Sequence, residues 1–196
     1  MAMKKNQHPD SGDLRQALET LRTGGVILYP TDTIWGLGCD ALNPQALARI
    51  NEIKGRDAGK NAIILLENDN QLQSYVEEVP EVAYELIEYT DRPLTIVYSG
   101  AKNLPEQLIA EDGSIGIRIV DHPFCSQLIQ RFRRPIVSTS ANFSGQASPR
   151  NFLEIDPDIL DQVDYVVQYG QDNPELGQAS IIMKLEPGGR FEFLRK

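Results

Sequence analysis

The sequence predicts a single α/β domain built on a mixed β-sheet. Segments with helical spacing of apolar residues alternate along the chain with short apolar runs of the length of buried strands. The chain has 196 residues, of which 41% are apolar and 24% charged, as in an ordinary globular domain. No repeat or long linker divides the sequence. We therefore expect a polar N-terminal tail over residues 1–12 and one domain over residues 13–196.

The first half of the chain is expected to alternate helices and strands. Apolar residues at helical spacing over residues 14–21 predict a helix that ends at Gly24-Gly25. Asn43 can cap the next helix, because Pro44 suits a first helical position. The other segments predicted here are strands over residues 26–29, 62–66 and 94–98, and helices over residues 71–75 and 80–89.

The second half continues the alternation. A strand over residues 115–120 precedes a helix that begins at Asp121 or His122 and turns Phe124, Leu128 and Phe132 inward. Four further apolar runs predict strands over residues 135–139, 164–168, 179–185 and 190–194.

Charge and residue counts argue against several kinds of site. The net charge of −9 argues against binding nucleic acid by bulk attraction, although a local basic patch is compatible with it. Two histidines and two cysteines are too few to predict a zinc site. No apolar run approaches the ~20 residues of a membrane span, and the polar start lacks the apolar core of a signal peptide. We therefore expect a cytoplasmic protein whose Cys39 and Cys125 are free thiols packed as small apolar side chains.

Four polar stretches each follow a predicted strand or end a predicted helix. They cover residues 31–38, 54–60, 114–118 and 138–148. Ligands of open α/β sheets collect beyond the strand ends, where the connecting loops meet. Four such stretches in one chain indicate a shared cleft.

Each stretch also has a simpler interpretation. Lys54, Arg56 and Lys60 in KGRDAGK suit a polyphosphate, but basic side chains also favour helix C-termini. Arg118 in SIGIRIV lies either on the solvated face of the sheet or in a site, because an unpaired buried charge is costly. The hydroxyl-rich segment STSANFSG forms either an anion site or a turn. The residues alone leave these alternatives open.

Hydrolase chemistry is a further alternative. A serine hydrolase could use Ser140 and His122, but the sequence contains no GxSxG elbow. His122 precedes a predicted helix, so capping or packing is favoured over catalysis.

Six segments occur together in the order and spacing typical of the YrdC-like family. They read YPTDTIWGLGCDA, IKGRDAGKNAIILL, PLTIVY, SIGIRIVDHP, IVSTSANFSGQASPR, and ASIIMKL followed by FEFLR. The sequence resembles this family from about residue 14 to residue 195, and in particular its short, single-domain bacterial form. The resemblance implies a twisted, open mixed sheet flanked by helices around a large, positively charged cavity.

The resemblance also implies an activity. Members of the family act as nucleotidyltransferases that join L-threonine, bicarbonate or CO2, and ATP into threonylcarbamoyl-AMP and pyrophosphate. This reaction is the first step of a tRNA modification, so a downstream threonylcarbamoyl-transferase complex and a weak tRNA contact are implied partners. Mg2+ is expected to arrive with ATP. The alternative is a family paralogue that binds nucleotide or RNA without this activity, or that serves a different acceptor.

Matching positions assign the implied roles. Threonine would be bound by Thr33, Arg118, Ser138 and Ser180. The nucleotide would be bound by Lys54, Arg56, Lys60, Ser114, Ser140, Asn142, Ser148 and Arg195, with Gly145 shaping the loop. Lys54, Arg56 and Arg118 would carry catalysis through charge and positioning, without a covalent intermediate or a protein-bound metal. The sequence departs from the family pattern at Asp57, Asn61 and Leu65, the last of which replaces a histidine that some relatives place near threonine.

The motif PTDTIWGLG divides into several expected roles. Thr33 is expected to donate its hydroxyl proton to the substrate. Gly36 and Gly38 are expected to turn the chain away without placing a Cβ in the cavity. Asp32 is expected to bond the local backbone, and Trp35 to pack in the core.

Overall fold

The structure is an α/β fold in which helices flank a mixed sheet, as the sequence predicts. It is a computed structural model that describes residues 9–55 and 62–196. In these two ranges the chain forms six α-helices and nine strands. The helices are α1 (Ser11–Arg22), α2 (Pro44–Lys54), α3 (Leu72–Tyr75), α4 (Glu81–Tyr89), α5 (Pro123–Phe132) and α6 (Pro157–Leu160). The strands are β1 (Ile27–Tyr29), β2 (Gly36–Gly38), β3 (Ile63–Leu66), β4 (Leu94–Tyr98), β5 (Ile115–Ile119), β6 (Ile136–Ser140), β7 (Tyr165–Val166), β8 (Ile181–Leu185) and β9 (Phe191–Arg195).

The helix ends follow local signals in the sequence. Asp10 caps α1, where its carboxylate accepts from the backbone N–H groups of Gly12 and Asp13. The Asn43 side chain caps α2 in the same way, as predicted. Gly55 ends α2 in the left-handed conformation, with φ 60°, which glycine adopts without steric cost.

The nine strands form one mixed sheet in the order β7-β1-β2-β6-β3-β5-β4-β8-β9. The pairs β1/β7, β3/β5 and β4/β8 are parallel, and the remaining neighbours are antiparallel. Consecutive strands are therefore often separated in the sheet, which brings segments distant in the sequence side by side.

The prediction that Gly36 and Gly38 form a turn is wrong, although Gly36 does line the cavity without a Cβ. Both glycines lie in β2, which pairs with β1 and β6. A Cβ at Gly38 would stand 2.6 Å from the ring of Tyr29 and 3.0 Å from the carbonyl oxygen of Val137, so only glycine fits here. A Cβ at Gly36 would meet the carbonyl oxygen of Thr139 at 3.1 Å. These glycines allow the central strands to pack closely, which a turn interpretation does not anticipate.

The two faces of the sheet carry separate clusters of buried side chains. On one face, α1 and α5 pack through residues such as Leu14, Phe124 and Leu128. On the other, α2 and the segment of α3 and α4 pack against a larger cluster that includes Ile50 and Ile96. Each helix thus contributes its apolar stripe to the sheet, as the periodicity predicts.

Two further observations concern the whole described chain. Cys39 and Cys125 are free and buried, as predicted. Among the residues that the structure describes, no helix is long and apolar enough to cross a bilayer. The predicted tail of residues 1–12 overlaps α1, which begins at Ser11, while residues 1–8 lie outside the described ranges.

Candidate active site

One face of the sheet forms the floor of a cavity of about 1250 Å³. Side chains alternate along a strand, so Gly116 and Arg118 of β5 share the cavity face, whereas Ile117 packs into the core. The strand register places Thr95 of β4 beside Arg118, and Ile63 of β3 beside Gly116. The cavity floor therefore collects residues such as Ile63, Thr95 and Arg118 from neighbouring strands.

Ten residues to which the family resemblance assigns roles line this one cavity. They are Thr33, Lys54, Ser114, Arg118, Ser138, Ser140, Asn142, Ser148, Ser180 and Arg195. Gly145 lines it as well. Arg56 and Lys60, with Asp57 and Asn61 between or beside them, lie outside the described residues. The shared cleft inferred from four polar stretches is thus present as a single space, reached by three of those stretches and by Lys54 of the fourth.

Arg118 forms a buried ion pair with Asp32. Its Nη2 lies 3.1 Å from Oδ1 of Asp32, and the two side chains are only 5% and 6% exposed. Burial raises the pKa of Asp32, and the guanidinium of Arg118 and nearby backbone N–H groups oppose that rise. The Nε of Arg118 is buried without a hydrogen-bond partner among the described residues. The sequence predicts that Asp32 bonds the local backbone, and that prediction does not include its ion pair with Arg118 on β5.

Lys54 anchors the loop that follows β6. Its Nζ donates to the backbone carbonyl of Ser140 and, at 2.6 Å, to that of Asn142. The backbone N–H of Ser144 donates in turn to the carbonyl of Lys54 at 2.9 Å. Lys54 is 3% exposed yet lines the cavity. The end of α2 and the segment STSANFSG are therefore held together by a buried ammonium group.

The hydroxyl of Thr33 is arranged as an acceptor toward the cavity. Thr31 Oγ1 donates to the carbonyl of Ile34 at 2.7 Å, which uses its only proton. In the 2.9 Å contact between Thr31 Oγ1 and Thr33 Oγ1, the proton therefore comes from Thr33. The prediction that Thr33 donates to a substrate does not match this arrangement, because Thr33 offers lone pairs to a ligand.

Ser180 is held by two neighbours. Its hydroxyl lies 2.8 Å from that of Thr95, and Arg195 donates to it at 3.2 Å. Arg195 also donates from Nε to the Ser180 carbonyl at 2.9 Å. Burial, together with the nearby charge of Arg118, lowers the pKa of Arg195. Ser180, predicted to bind threonine, and Arg195, predicted to bind the nucleotide, thus touch each other.

Asp112, which also lines the cavity, is hydrogen-bonded to Ser114. Asp112 Oδ1 accepts from the Ser114 hydroxyl at 2.6 Å and from the Ser114 backbone N–H at 3.1 Å. Its other oxygen accepts from Lys184 Nζ at 2.7 Å. Hydrogen bonds from Lys184 and Ser114 lower the pKa of Asp112 to about 2. The carboxylate is therefore ionised at neutral pH.

The described lining of the cavity carries both signs of charge. Its basic residues are Lys54, Arg118, Lys184 and Arg195, and its acidic residues are Glu106, Glu111, Asp112 and Glu192. Each of these basic side chains already has a hydrogen-bond or ion-pair partner. A positive cavity stays a prediction, since it depends on Arg56 and Lys60, which are not described.

Comparison with known proteins places this arrangement in a family. Residues 19–196 match the model of the Sua5/YciO/YrdC family, whose description is telomere recombination. The chain belongs to the Sua5/YciO/YrdC family. A relative from Pseudoalteromonas translucida named threonylcarbamoyl-AMP synthase is 36% identical over 161 residues, which cover 81% of this chain and 86% of the relative.

Solved structures of the Sua5/YciO/YrdC family share the fold. The structure of E. coli YciO matches with a TM-score of 0.82 and 29% identity, covering 96% of this chain and 90% of YciO. P. abyssi Sua5 in complex with L-threonine matches with a TM-score of 0.77 and 29% identity. That match covers 88% of this chain and 50% of the Sua5 chain, so this chain spans about half the length of that relative. The resemblance stated from the motifs is confirmed.

Other residues behave as packing groups in this member of the Sua5/YciO/YrdC family. His122 precedes α5 but its side chain makes no capping bond, and its ring packs edge-on against Tyr169. Burial lowers its pKa to about 4. His122 is not among the described residues that line the cavity, so a pairing with Ser140 has no geometric support. Leu65, which departs from the family pattern, is fully buried beneath the α1 and α5 cluster.

Sequence reasoning missed several residues that shape the site. Gly177 packs so closely on the Thr33 loop that a Cβ there would stand 2.0 Å from the Thr33 carbonyl oxygen. Thr95 was assigned only to a strand, and Asp112 was not singled out. The alternation of LTIVY could have placed Thr95 on the polar face. Trp35, expected in the core, is 5% exposed and stacks at a tilt on Phe152, yet it also lines the cavity.

Proposed function

We propose that the cavity synthesises threonylcarbamoyl-AMP from L-threonine, bicarbonate or CO2, and ATP, with release of pyrophosphate. One observation carries the proposal: residues assigned separately to threonine and to nucleotide line the same cavity. The names of curated relatives agree with it, and so does the bound L-threonine in the P. abyssi structure. The protein would be a nucleotidyltransferase acting in the cytoplasm at the first step of a tRNA modification.

Threonine is proposed to bind at the Arg118 end of the cavity. A guanidinium with an unpartnered, buried Nε suits a carboxylate, because charge-assisted hydrogen bonds are strong and Arg can donate two in parallel. Thr33 presents lone pairs, which suit the amino or hydroxyl group of threonine. Ser138 and Ser180 line the same cavity and supply further hydroxyls. The ion pair with Asp32 holds the guanidinium of Arg118 in position.

The nucleotide is proposed to lie across the loop that Lys54 anchors. With the amine of threonine converted to a carbamate, a carbamate oxygen forms a bond to the α-phosphorus of ATP. The bond from that phosphorus to the bridging oxygen of the β-phosphate breaks, and pyrophosphate leaves with the electron pair. Like unit charges at ~4 Å repel by about 4 kcal/mol at an effective dielectric of 20. Lys54 and Arg118, with Arg56 as the proposed third cation, would reduce this repulsion while orienting both anions.

Magnesium is proposed to enter with the triphosphate. Among the described residues, no three metal-ligating side chains of the usual kinds converge. The ion would therefore be held mainly by phosphate oxygens and water, where it neutralises phosphate charge. The steps assigned to this chain are binding, orientation and the supply of positive potential.

The product is proposed to pass to a threonylcarbamoyl-transferase complex. Threonylcarbamoyl-AMP is a mixed anhydride and can be hydrolysed. A partner that accepts the threonylcarbamoyl group would therefore have to bind the product before water attacks it. A weak contact with tRNA is compatible with this role. The paralogue alternative, nucleotide or RNA binding without synthesis, makes the opposite prediction for turnover.

The test is direct detection of the product. The protein is incubated with ATP, L-threonine and labelled bicarbonate, pyrophosphate release is followed, and the anhydride is sought by mass spectrometry. Arg118→Ala should lose ~100-fold or more in turnover at a temperature where its melting curve shows the variant to be folded, since it also leaves Asp32 buried without its partner. Arg49→Ala, which removes an exposed ion pair with Glu52, serves as the matched control. ATP binding without labelled anhydride would reject the synthase and favour the paralogue alternative.

A further inference from the structure

The Thr31 hydroxyl makes all of its hydrogen bonds within its own loop. Its Oγ1 donates the proton to the carbonyl of Ile34 at 2.7 Å. It accepts from the backbone N–H of Thr33 at 3.1 Å and lies 2.9 Å from Thr33 Oγ1. A threonine hydroxyl has one proton and two lone pairs, so these three contacts use all of them. Thr31 is not among the described residues that line the cavity, and its hydroxyl has nothing left to offer a ligand.

The same contacts hold Thr33 in a fixed orientation. Its hydroxyl proton and its backbone N–H both point to Thr31 Oγ1. Gly177 packs closely on the backbone carbonyl of Thr33, so the third polar group of this residue is confined as well. Thr33 is buried yet lines the cavity. Thr33 therefore presents two lone pairs at a defined place, and Thr31 determines that they are lone pairs and not a proton.

Of the polar groups on L-threonine, the side-chain hydroxyl suits these lone pairs best. The carboxylate has no proton to donate at neutral pH. The amine loses protons when it becomes a carbamate, and its nitrogen belongs to the reacting centre. The hydroxyl keeps its proton from substrate to product, so an acceptor that is oriented in advance can bind it throughout at little entropic cost. Such an acceptor also disfavours a ligand without the hydroxyl, because it is then left unpaired.

We propose that Thr31 is a positioning residue that keeps Thr33 as an acceptor for the side-chain hydroxyl of L-threonine, and that it thereby sets the preference for threonine over valine. The inference rests on the proposed synthase activity and adds the origin of its amino-acid selectivity. Thr33 contacts the substrate, and Thr31 acts through Thr33. Valine has the shape of threonine with a methyl group in place of the hydroxyl, so it would fill the same space and leave Thr33 unpaired.

The experiment compares L-threonine with L-valine on the full-length chain. The Kd of each amino acid is measured by isothermal titration calorimetry with a non-hydrolysable ATP analogue present, and the readout is the ratio of the two Kd values. A loss of affinity that is common to both ligands cancels in this ratio. In the wild type, valine should bind ~10-fold or more weakly than threonine. In Thr31→Val the ratio should fall at least about threefold, because the Thr33 hydroxyl loses the acceptor that holds its proton.

Three further variants, each measured where its melting curve shows it to be folded, locate the effect. Thr31→Ser keeps the hydroxyl and should keep the wild-type ratio, which separates hydrogen bonding from packing. Thr33→Val should bring the ratio to within about twofold of one, since it removes the acceptor itself. Glu52→Gln, which removes an exposed ion pair on α2, is the control and should leave the ratio unchanged.

Several outcomes would overturn the inference. Equal binding of threonine and valine by the wild type is one, and a wild-type ratio that persists in Thr31→Val or Thr33→Val is another. An equal fall in Thr31→Ser and Thr31→Val would show that packing, and not the hydroxyl of Thr31, sets the preference. Failure of the proposed function looks different: the wild type would release no pyrophosphate with threonine, bicarbonate and ATP, whatever the ratio of the Kd values.

Discussion

The buried pair between Asp32 and Arg118 gives the sharpest stability prediction. In Asp32→Asn the shape is retained but the charge is lost, so Arg118 remains buried without its counter-charge. Breaking a buried ion pair by removing one partner costs ~3–5 kcal/mol, and a shape-preserving change should fall at or just below the lower bound of that range, at about 2–3 kcal/mol. In a chain of 196 residues each kcal/mol shifts the melting temperature by about 2–4 °C. Asp32→Asn should therefore melt roughly 4–12 °C below the wild type.

Threonine should restore much of this loss. Its carboxylate would supply the missing negative charge beside Arg118, an attraction of about 4 kcal/mol at ~4 Å and an effective dielectric of 20. The increase in melting temperature on adding L-threonine should consequently be larger in Asp32→Asn than in the wild type. Differential scanning calorimetry with increasing threonine concentrations measures this directly.

Two further variants test whether the unpaired charge of Arg118 causes the loss of stability in Asp32→Asn. Arg118→Met combined with Asp32→Asn should be more stable than Asp32→Asn alone, because no charge is left unpaired. Glu52→Gln removes a pair with Arg49, in which the side chains of Glu52 and Arg49 are 66% and 45% exposed, and should cost under about 1 kcal/mol without changing the response to threonine. If Asp32→Asn melts like the wild type, or if the double variant is less stable than the single one, the charge argument fails.

Three other residues give independent predictions. Gly177→Ala should raise KM for threonine ~10-fold or more with little change in KM for ATP, because its Cβ would displace the Thr33 carbonyl; equal changes in both KM values would argue for general disruption. His122 has a pKa of about 4 in the folded protein, so as pH falls from 6.5 to 4 the unfolded chain takes up a proton that the folded one does not. Stability should drop by up to about 3 kcal/mol over this window, and His122→Phe should remove that part of the pH dependence in chemical denaturation. Lys54→Met should lower turnover ~10-fold or more and speed amide exchange over residues 140–146, because the donors to two loop carbonyls are lost; unchanged exchange would contradict the anchoring role.

Much of the fold could be predicted because local signals agree with tertiary packing. The helices α1, α2 and α5 carry both apolar stripes and end signals, such as Asn43 and Gly55 for α2. The strand over residues 94–98 was predicted to the residue. In contrast, β2 has no apolar alternation of its own, since two of its three residues are glycine. Its strand conformation comes from pairing with β1, which precedes it in the sequence, and with β6, which lies about 100 residues further along the chain.

The candidate site was predictable as a set of residues but not as a set of partners. Motif spacing brings Thr33, Ser140 and Ser180 to one cavity without any knowledge of the sheet order. The pairing of Asp32 with Arg118 depends on how β5 lies relative to the loop after β1, and no local pattern reports it. The direction of hydroxyl hydrogen bonds is harder still to predict. Thr31 donates to the Ile34 carbonyl, so Thr33 donates to Thr31 and is left as an acceptor for a ligand. Whether such a hydroxyl donates or accepts can be decided only when all of the hydrogen bonds around it are known.

The chain's single tryptophan has a practical consequence. Trp35 forms part of the cavity wall, where its indole meets the ring of Phe152 at 4.9 Å between centroids. Tryptophan emission from this protein, excited selectively over its tyrosines, thus originates at one place, and that place borders the space where ligands are proposed to enter. Occupancy could be followed optically in the unlabelled wild-type molecule, with each ligand titrated alone and then in the presence of the other.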